Sequence, residues 1–292
     1  GNNFTTTSWK VGADFEPIPD VRLRATYQRA VRAPNLNEIG QPLTPSPGDG
    51  DTDYCASSVT TPAMYAAGTG FAPLCLATGV PLAAGLGGVV GGPIAGQVNN
   101  FIGGNINLTP ERSTTKSAGI VLQPRFIPGL TAAVDYFDIK VNNAIFALPE
   151  QEIVDLCYIT EQDPNGQFCS LILRNPLDGS LIGGTETGVD ARNINAGGLR
   201  AQGIDVNAAY RFALTDDARL ALAINLTRTL KSEFQSTDLS PLRECEGLLG
   251  STCLRPQPKW QFVQTSTVTA SISVNASQVR SSPFVSSRSQ TR

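Results

Sequence analysis

Val21-Arg22-Leu23-Arg24-Ala25-Thr26-Tyr27-Gln28-Arg29 alternates without a break: Val21, Leu23, Ala25 and Tyr27 are apolar, and Arg22, Arg24, Thr26 and Gln28 between them are polar. A period of two sends the two sets to opposite faces of a β-strand, one seeking lipid or core and the other water. The pattern recurs at Ile204, Val206, Ala208, Tyr210 and Phe212 with Asp205, Asn207 and Arg211 interleaved. It returns at Leu220, Leu222, Ile224 and Leu226 opposite Arg219, Ala221, Ala223, Asn225 and Thr227. Fainter versions lie at Trp9 to Phe15, Ser117 to Gln123, Leu130 to Asn142 and Val268 to Ala276. Such runs match the roughly 9 to 11 residues of a tilted transmembrane strand better than the ~5 to 6 typical of soluble sheets. An ordinary antiparallel sandwich with one wet face shares the period, so the connections must decide.

Three connections are short: Glu16-Pro17-Ile18-Pro19-Asp20, the Pro124 to Gly129 segment, and a few residues around Asp216 and Asp217. The intervening ones run about 33–112, 143–198 and 232–259, far beyond the ~12 to 15 residues usual for loops inside a compact domain. Strict alternation of short and long puts every long loop at one end, the asymmetry of outer-membrane barrels with short periplasmic turns and long external loops.

The cysteines follow the same sidedness. Cys55 with Cys75, Cys157 with Cys169, and Cys245 with Cys253 place one pair in each long loop and none in a strand. Disulfides persist in oxidising compartments such as the periplasm and cell surface, and each local staple is worth ~2 to 4 kcal/mol where its geometry is unstrained. No two cysteines stand two to four apart, as a structural zinc site would require.

Composition bounds the remainder. The 292 residues carry 16% charged and 41% hydrophobic side chains with net charge −3, neither a disordered composition nor the basic footprint of a nucleic-acid binder. The only methionine is Met64 and the start, Gly1-Asn2-Asn3, has no signal-peptide character, so the chain reads as an internal piece of something longer. Tyr54 to Pro110 lacks Asp, Glu, Lys and Arg, but Pro81, Gly85, Gly87, Gly88, Gly91, Gly92 and Pro93 interrupt its most apolar part. That stretch is expected to be a flexible external loop, not a spanning helix.

Four stretches carry a resemblance. Arg29-Ala30-Val31-Arg32-Ala33-Pro34-Asn35-Leu36-Asn37-Glu38, Asn105-Ile106-Asn107-Leu108-Thr109-Pro110-Glu111-Arg112-Ser113, Val134-Asp135-Tyr136-Phe137-Asp138-Ile139-Lys140-Val141-Asn142-Asn143, and Asn195-Ala196-Gly197-Gly198 with Gly203-Ile204-Asp205 follow one another at strand ends. In order and placement they resemble the landmarks of the TonB-dependent outer-membrane receptor barrel, over about residues 8 to 260. The resemblance implies an all-β, antiparallel up-and-down transmembrane barrel segment, about seven or eight strands of a 22-stranded barrel. It further implies a place in the bacterial outer membrane, contact with outer-membrane lipid, and import of scarce ligands of the siderophore-iron, cobalamin or carbohydrate type. Energy would come from the TonB complex through a plug and Ton box, both of which are expected to lie outside this segment. A fragment of this kind is not expected to transport by itself. From Gln261 onward there is no Asp, Glu, Gly or Tyr but an excess of Ser and Thr. Residues 261–292 are therefore expected to be an atypical tail, a truncated or frame-altered continuation of a 1–260 barrel domain.

Catalytic constellations fare poorly. With no histidine, Ser-His-Asp and Cys-His sites and His-ligated metals are excluded. Ser113-Thr114-Thr115-Lys116 fits S-x-x-K, but it runs into Gly119 and a β-type Ile120-Val121-Leu122 with no partner motif downstream. No enzyme activity, cofactor or nucleic-acid partner is expected. Asp49, Asp51 and Asp53 begin like a calcium loop, because alternate carboxylates can converge on a hard cation, yet position six is Tyr54 and position twelve Thr60. The resemblance implies ligand contacts from external loops and plug apices, which nominates Tyr54, Tyr65, Phe71, Phe101, Tyr158 and Phe168, although an aromatic in a long loop usually packs that loop against itself. Arg22, Arg24, Asp205 and Arg211 are expected on the water-filled or plug-facing side. The alternative reading is a secreted all-β adhesion or surface-interaction module with closed sheets and its own core.

Overall fold

The computed structural model describes residues 5–48, 52–183, 186–249, 253, 256–270 and 288–289. Its long strands are β1 (Trp9–Ile18), β2 (Val21–Arg32), β3 (Glu111–Leu122), β4 (Leu130–Phe146), β5 (Ile194–Thr215), β6 (Ala218–Gln235) and β7 (Trp260–Ala270). Each pairs antiparallel with its sequence neighbour, giving one up-and-down wall in which the short strand Arg243–Glu244 borders the upper part of β6 beside β7. The seven strands anticipated in the sequence are all present. An eighth strand, expected after Val279 on the count of seven or eight, falls outside the described residues apart from the short strand Arg288–Ser289. Gln261 to Ala270 continues the wall in unbroken register with β6, so Ser/Thr enrichment does not end the sheet at 260.

Register explains why the alternating pattern matters. Phe15, Leu23, Ile120, Val134, Val206, Leu226 and Phe262 stand opposite one another in one rung across all seven strands. The adjacent rung, on the other face, reads Asp14, Arg24, Gly119, Asp135, Asp205, Thr227 and Gln261. One face is thus apolar and the other charged and polar. The apolar rung is not covered: Phe15 remains 63% exposed and Leu23 41%. A sandwich would have buried that face under a second sheet, so the closed-module alternative does not fit this architecture. Among the described residues β1 and β7 do not pair with each other, and the wall stays open.

Local chemistry shapes the short turns. Between β1 and β2 the Asp20 carboxylate accepts from Arg125 Nε at 2.8 Å, and the Asp20 carbonyl accepts from Gln123 N–H at 2.9 Å, tying that turn to the next one. Gly129 enters β4 with φ +87°, and a Cβ there would lie 2.2 Å from the Arg211 carbonyl, so only glycine fits.

The hydrophobic core sits in the long loops, not against the wall. Its buried cluster includes Cys55, Tyr65, Cys75, Val98, Leu148, Ile153, Tyr158, Phe168, Leu181 and Val189. This overturns the reading of residues 54–110 as a flexible loop. The segment 33–110 holds α1 (Leu36–Gly40), α2 (Pro62–Ala67), α3 (Ala72–Ala77) and α4 (Leu82–Gly87). Of the residues read as breakers, Pro81 and Gly88 bound α4 and Gly85 and Gly87 lie within it. In the same segment Pro62 opens α2, Pro73 lies in the first turn of α3, and Gly68, like Gly88, ends its helix in the left-handed region. Gly85 lets Tyr65 lie against α4, where a Cβ would come within 2.6 Å of the ring. A four-stranded sheet, Thr44–Gly48, Val98–Ile102, Gly188–Asp190 and Ile172–Leu173, then joins the first loop to the second.

Candidate functional site

Two structures stand at the loop end of the wall: a polar rim where strands leave the sheet, and the packed loop cap above it. The rim gathers the four sequence landmarks. Arg32 at the end of β2 donates from Nε to Glu111 at 2.6 Å and from both terminal nitrogens to Glu38 at 3.0 Å. Glu38 also closes a capping box on Asn35, accepting from its N–H at 2.8 Å while Asn35 Oδ1 accepts from Glu38 N–H at 2.9 Å. The second Glu111 oxygen accepts from Ile145 N–H at 2.7 Å. Asn195 accepts from Thr109 N–H at 2.7 Å and donates to the Thr109 and Asn143 carbonyls, while the Asn143 amide donates to Thr109 Oγ1 at 2.8 Å. Segments far apart in the chain therefore share one hydrogen-bonded joint.

In the cap, Arg174 is the central cation. Its terminal nitrogens bond both Asp53 oxygens at 2.7 and 2.9 Å, one also donating to the Gly179 carbonyl at 2.7 Å and the other to Tyr158 Oη at 3.0 Å. Side-chain exposure is 1% for Arg174 and 0% for Asp53, so this ion pair is fully withdrawn from water. Thr78 Oγ1 completes the network on Tyr158 at 2.6 Å. Burial opposes the Arg174 charge, but Asp53 and Tyr158 outweigh it and hold its pKa above the ordinary arginine value.

The helix α5 (Glu150–Asp155) is the keystone between loops. Asn100 donates to Glu150 at 3.2 Å, Thr52 N–H to Gln151 at 2.8 Å and Tyr54 Oη to Asp155 at 3.0 Å, all from the first loop. From the third loop, Ser236 and Ser240 donate to Glu152. Burial first, and the Asp155 hydrogen bond second, push the Tyr54 phenol up to about 12. Burial alone is the leading cause for Tyr65, also pushed up to about 12.

Below the rim, the polar face carries Arg22, Arg24, Asp205 and Arg211, as their parity requires. Arg22 chelates Asp14 at 2.6 to 2.9 Å. Arg24 reaches Asp135 at 2.8 and 2.5 Å. Asp205 accepts from Thr227 Oγ1 at 2.6 Å. Arg211 stands opposite Ala221 in register, on the same face.

The six loop aromatics divide. Tyr65, Phe101, Tyr158 and Phe168 are buried, and Tyr54 and Phe71 are half-buried with ring centroids 4.9 Å apart. Tyr158 sits 5.7 Å from Tyr54 and 6.3 Å from Phe71. The rings pack the cap against itself. Phe168 alone of the six also borders a polar cavity of about 370 Å³ whose lining includes Asn142, Asn143, Glu161, Asn195 and Asp238. Sequence reading did not single out those polar neighbours as contacts, and only the assembled loops bring them together. The cysteines pair as Cys55–Cys75, Cys157–Cys169 and Cys245–Cys253, each within one loop. Of the acidic trio, Asp49 and Asp51 lie outside the described residues, and Asp53 spends both oxygens on Arg174. Among the described residues no cluster of three metal-ligating acidic or cysteine side chains forms. Among the described residues no helix is long and apolar enough to cross a membrane, which says nothing of crossing by strands.

A family model described as TonB dependent receptor-like, beta-barrel matches residues 1–269. No curated protein matches the chain. Among solved structures, the siderophore receptor PirA of Pseudomonas aeruginosa is 18% identical over 91% of this chain and 31% of its own, with TM-score 0.43. A mutant of the ferric enterobactin receptor PfeA of the same organism, bound to enterobactin, is 16% identical over 89% and 25%, with TM-score 0.46. The FrpB iron transporter of Neisseria meningitidis is 10% identical over 90% and 24%, with TM-score 0.38. The chain spans under a third of the length of each of these proteins.

Proposed function

Because the chain belongs to the TonB-dependent receptor β-barrel family, we propose that it forms part of the barrel wall of an outer-membrane receptor that imports a scarce ligand with TonB-supplied energy. The observation that carries this reading is the pair of neighbouring rungs. Seven apolar residues from Phe15 to Phe262 lie on one face, and Asp14, Arg24, Asp135, Asp205 and Thr227 lie on the other. An apolar outer band with a polar interior is what a transmembrane barrel requires, and hydrocarbon tolerates a sheet only when its strand edges are paired. This wall therefore works as one arc of a larger closed barrel, with the long strands from Trp9 through Ala270 in the wall and the long loops outside it. The loop cap forms part of the external mouth, and the polar ladder lines the path or docks a plug. Ligand class stays at the level of siderophore-iron, cobalamin or carbohydrate.

Uptake by the receptor that carries this segment tests the proposal. Cells expressing it are offered ferric siderophores, cobalamin and maltodextrins, with and without an intact TonB complex. Accumulation of one class that vanishes without TonB is expected. Accumulation of none, or uptake indifferent to TonB, contradicts the reading.

A further inference from the structure

On the apolar face the residues of β2 run Leu23, Ala25, Tyr27, Arg29, Val31 toward the loop end, so the band gives way first to an aromatic ring and then to a cation. Trp9 stands directly opposite Arg29, and Val31 directly opposite Arg112. Arg29 and Arg112 are therefore diagonal cross-strand neighbours on one face, a relation that brings residues within roughly 7–8 Å and so within reach of two long side chains. The Trp9 and Tyr27 ring centroids lie 5.3 Å apart beside them. Together with Thr114 and Asn142 these residues line an open groove of about 1030 Å³, which the N-terminal Thr5 to Thr7 stretch borders.

No acidic side chain lines this groove. Arg29 and Arg112 are exposed and make no ion pair or side-chain hydrogen bond among the described residues. Farther along the same face Arg200 pairs with Asp138 at 2.9 Å and lies 3.6 Å from Glu233, which also takes Lys231 at 2.9 Å, whereas Lys140, in the same rung as Arg29, makes no ion pair among the described residues. Two uncompensated guanidiniums over an aromatic pair, at the upper border of an apolar band, form a fork for a doubly charged anion whose attached hydrocarbon continues downward. Aromatic side chains at this level mark the membrane interface.

The geometry points to a binding site for the phosphate headgroup of an outer-leaflet lipid, held by Arg29 and Arg112 with the acyl chains running along Trp9, Tyr27 and the band below. The inference rests on the apolar face being the lipid-facing one. Charge selects the headgroup, and continuity with the apolar band selects a lipid over free phosphate. A guanidinium pair also offers bidentate geometry that a lysine pair would not.

The test uses the detergent-solubilised receptor that carries this segment and native mass spectrometry with added lipid A, alone and against excess inorganic phosphate. Unmodified receptor should retain lipid A in the presence of inorganic phosphate. The double variant Arg29→Gln/Arg112→Gln should bind it about thirtyfold more weakly, on the scale of ~1 kcal/mol per basic side chain near an anionic surface. Arg211→Gln, on the opposite face, should bind as the unmodified receptor does. Equal retention by the double variant, equal retention of lipid A stripped of its phosphates, or displacement by inorganic phosphate each overturns the proposal. Heat-modifiable migration on gels confirms that every variant is a folded barrel. Val134→Arg separates the two levels of the argument: if it assembles normally, the lipid-facing assignment itself fails. If it does not assemble while Arg29→Gln/Arg112→Gln leaves lipid A binding intact, the headgroup site alone fails.

Discussion

The Arg24 guanidinium on β2 reaches across β3 to the Asp135 carboxylate on β4, and it passes over Gly119, the residue that stands between them in register. A Cβ on Gly119 would lie 2.0 Å from Asp135 Oδ1 and 2.9 Å from the Val134 carbonyl. The absence of a side chain there is what allows the bridge. Two strands are cross-linked on the polar face by a contact that spans the strand between them.

This bridge gives a graded expectation. Arg24 is about half exposed, so its coupling to Asp135 in a double-mutant cycle of Arg24→Gln and Asp135→Asn should not exceed about 1 kcal/mol. Gly119→Val should cost more than either single change, because its added atoms meet main chain as well as the carboxylate. Urea unfolding of the receptor provides the measurement, and a coupling of several kcal/mol would show that this face is dry instead of wet.

In the loop cap, Arg174→Ala would leave Asp53 charged and unpaired with 0% side-chain exposure. Breaking a buried pair from one side costs about 3–5 kcal/mol, enough to open the cap without dismantling the wall. Limited proteolysis should then cut within 53–80 and 150–180 in the variant, while the strands stay protected. Joint replacement, Asp53→Leu with Arg174→Met, should restore much of the resistance. Identical cleavage of variant and unmodified protein would mean that the pair does not hold the loops together.

How much of this was legible beforehand differs by region. The wall was, because Val21 to Arg29 and Ile204 to Phe212 carry their faces in a two-residue period and the turns between them are short. The loop cap was not. Its core is built from Val98, Leu148, Ile153, Leu181 and Val189, apolar residues scattered over two loops with no common period. Pro62, Pro73, Gly68 and Gly88 look the same in sequence whether they interrupt a coil or bound a short helix. Tyr54 to Pro110 holds no charge of its own, and the Arg174 that meets Asp53 comes from another loop, so their contact could not be read from spacing. The polar rim fell between these extremes: its four landmarks were visible one by one, but their meeting at Arg32, Glu111 and Asn195 required the register.

Alkaline pH should loosen the same cap. Tyr54 and Tyr65 are pushed up to about 12 from an unfolded value near 10. Raised acid pKa values favour the folded state fully below pH ~10, and that contribution is lost as pH climbs from about 10 toward 12. Phenolate absorbance should therefore lag for these two tyrosines in the folded receptor. Tyr54→Phe and Tyr65→Phe should each remove part of the lag, and a titration indistinguishable from unfolded protein would refute the packing described.

The disulfides are expected to act as three independent staples, since each closes a single loop. Peptide mapping under oxidising conditions should recover Cys55 with Cys75, Cys157 with Cys169 and Cys245 with Cys253. The pair Cys55→Ala/Cys75→Ala should weaken the first loop by ~2 to 4 kcal/mol and leave the third unaffected. Dominant cross-loop pairing would sink this expectation.

The central claim is that one face of this wall meets lipid and the other does not. It is tested most directly by placing arginine at successive positions of two strands in the receptor and measuring the folded fraction in the membrane. Val206→Arg and Leu222→Arg put a cation on the apolar face, at a cost of ~2 to 4 kcal/mol near the bilayer midplane, and should impair assembly strongly. Asn207→Arg and Ala223→Arg, one residue along, put it on the polar face and should assemble almost normally. Equal effects at both members of each pair would contradict the account.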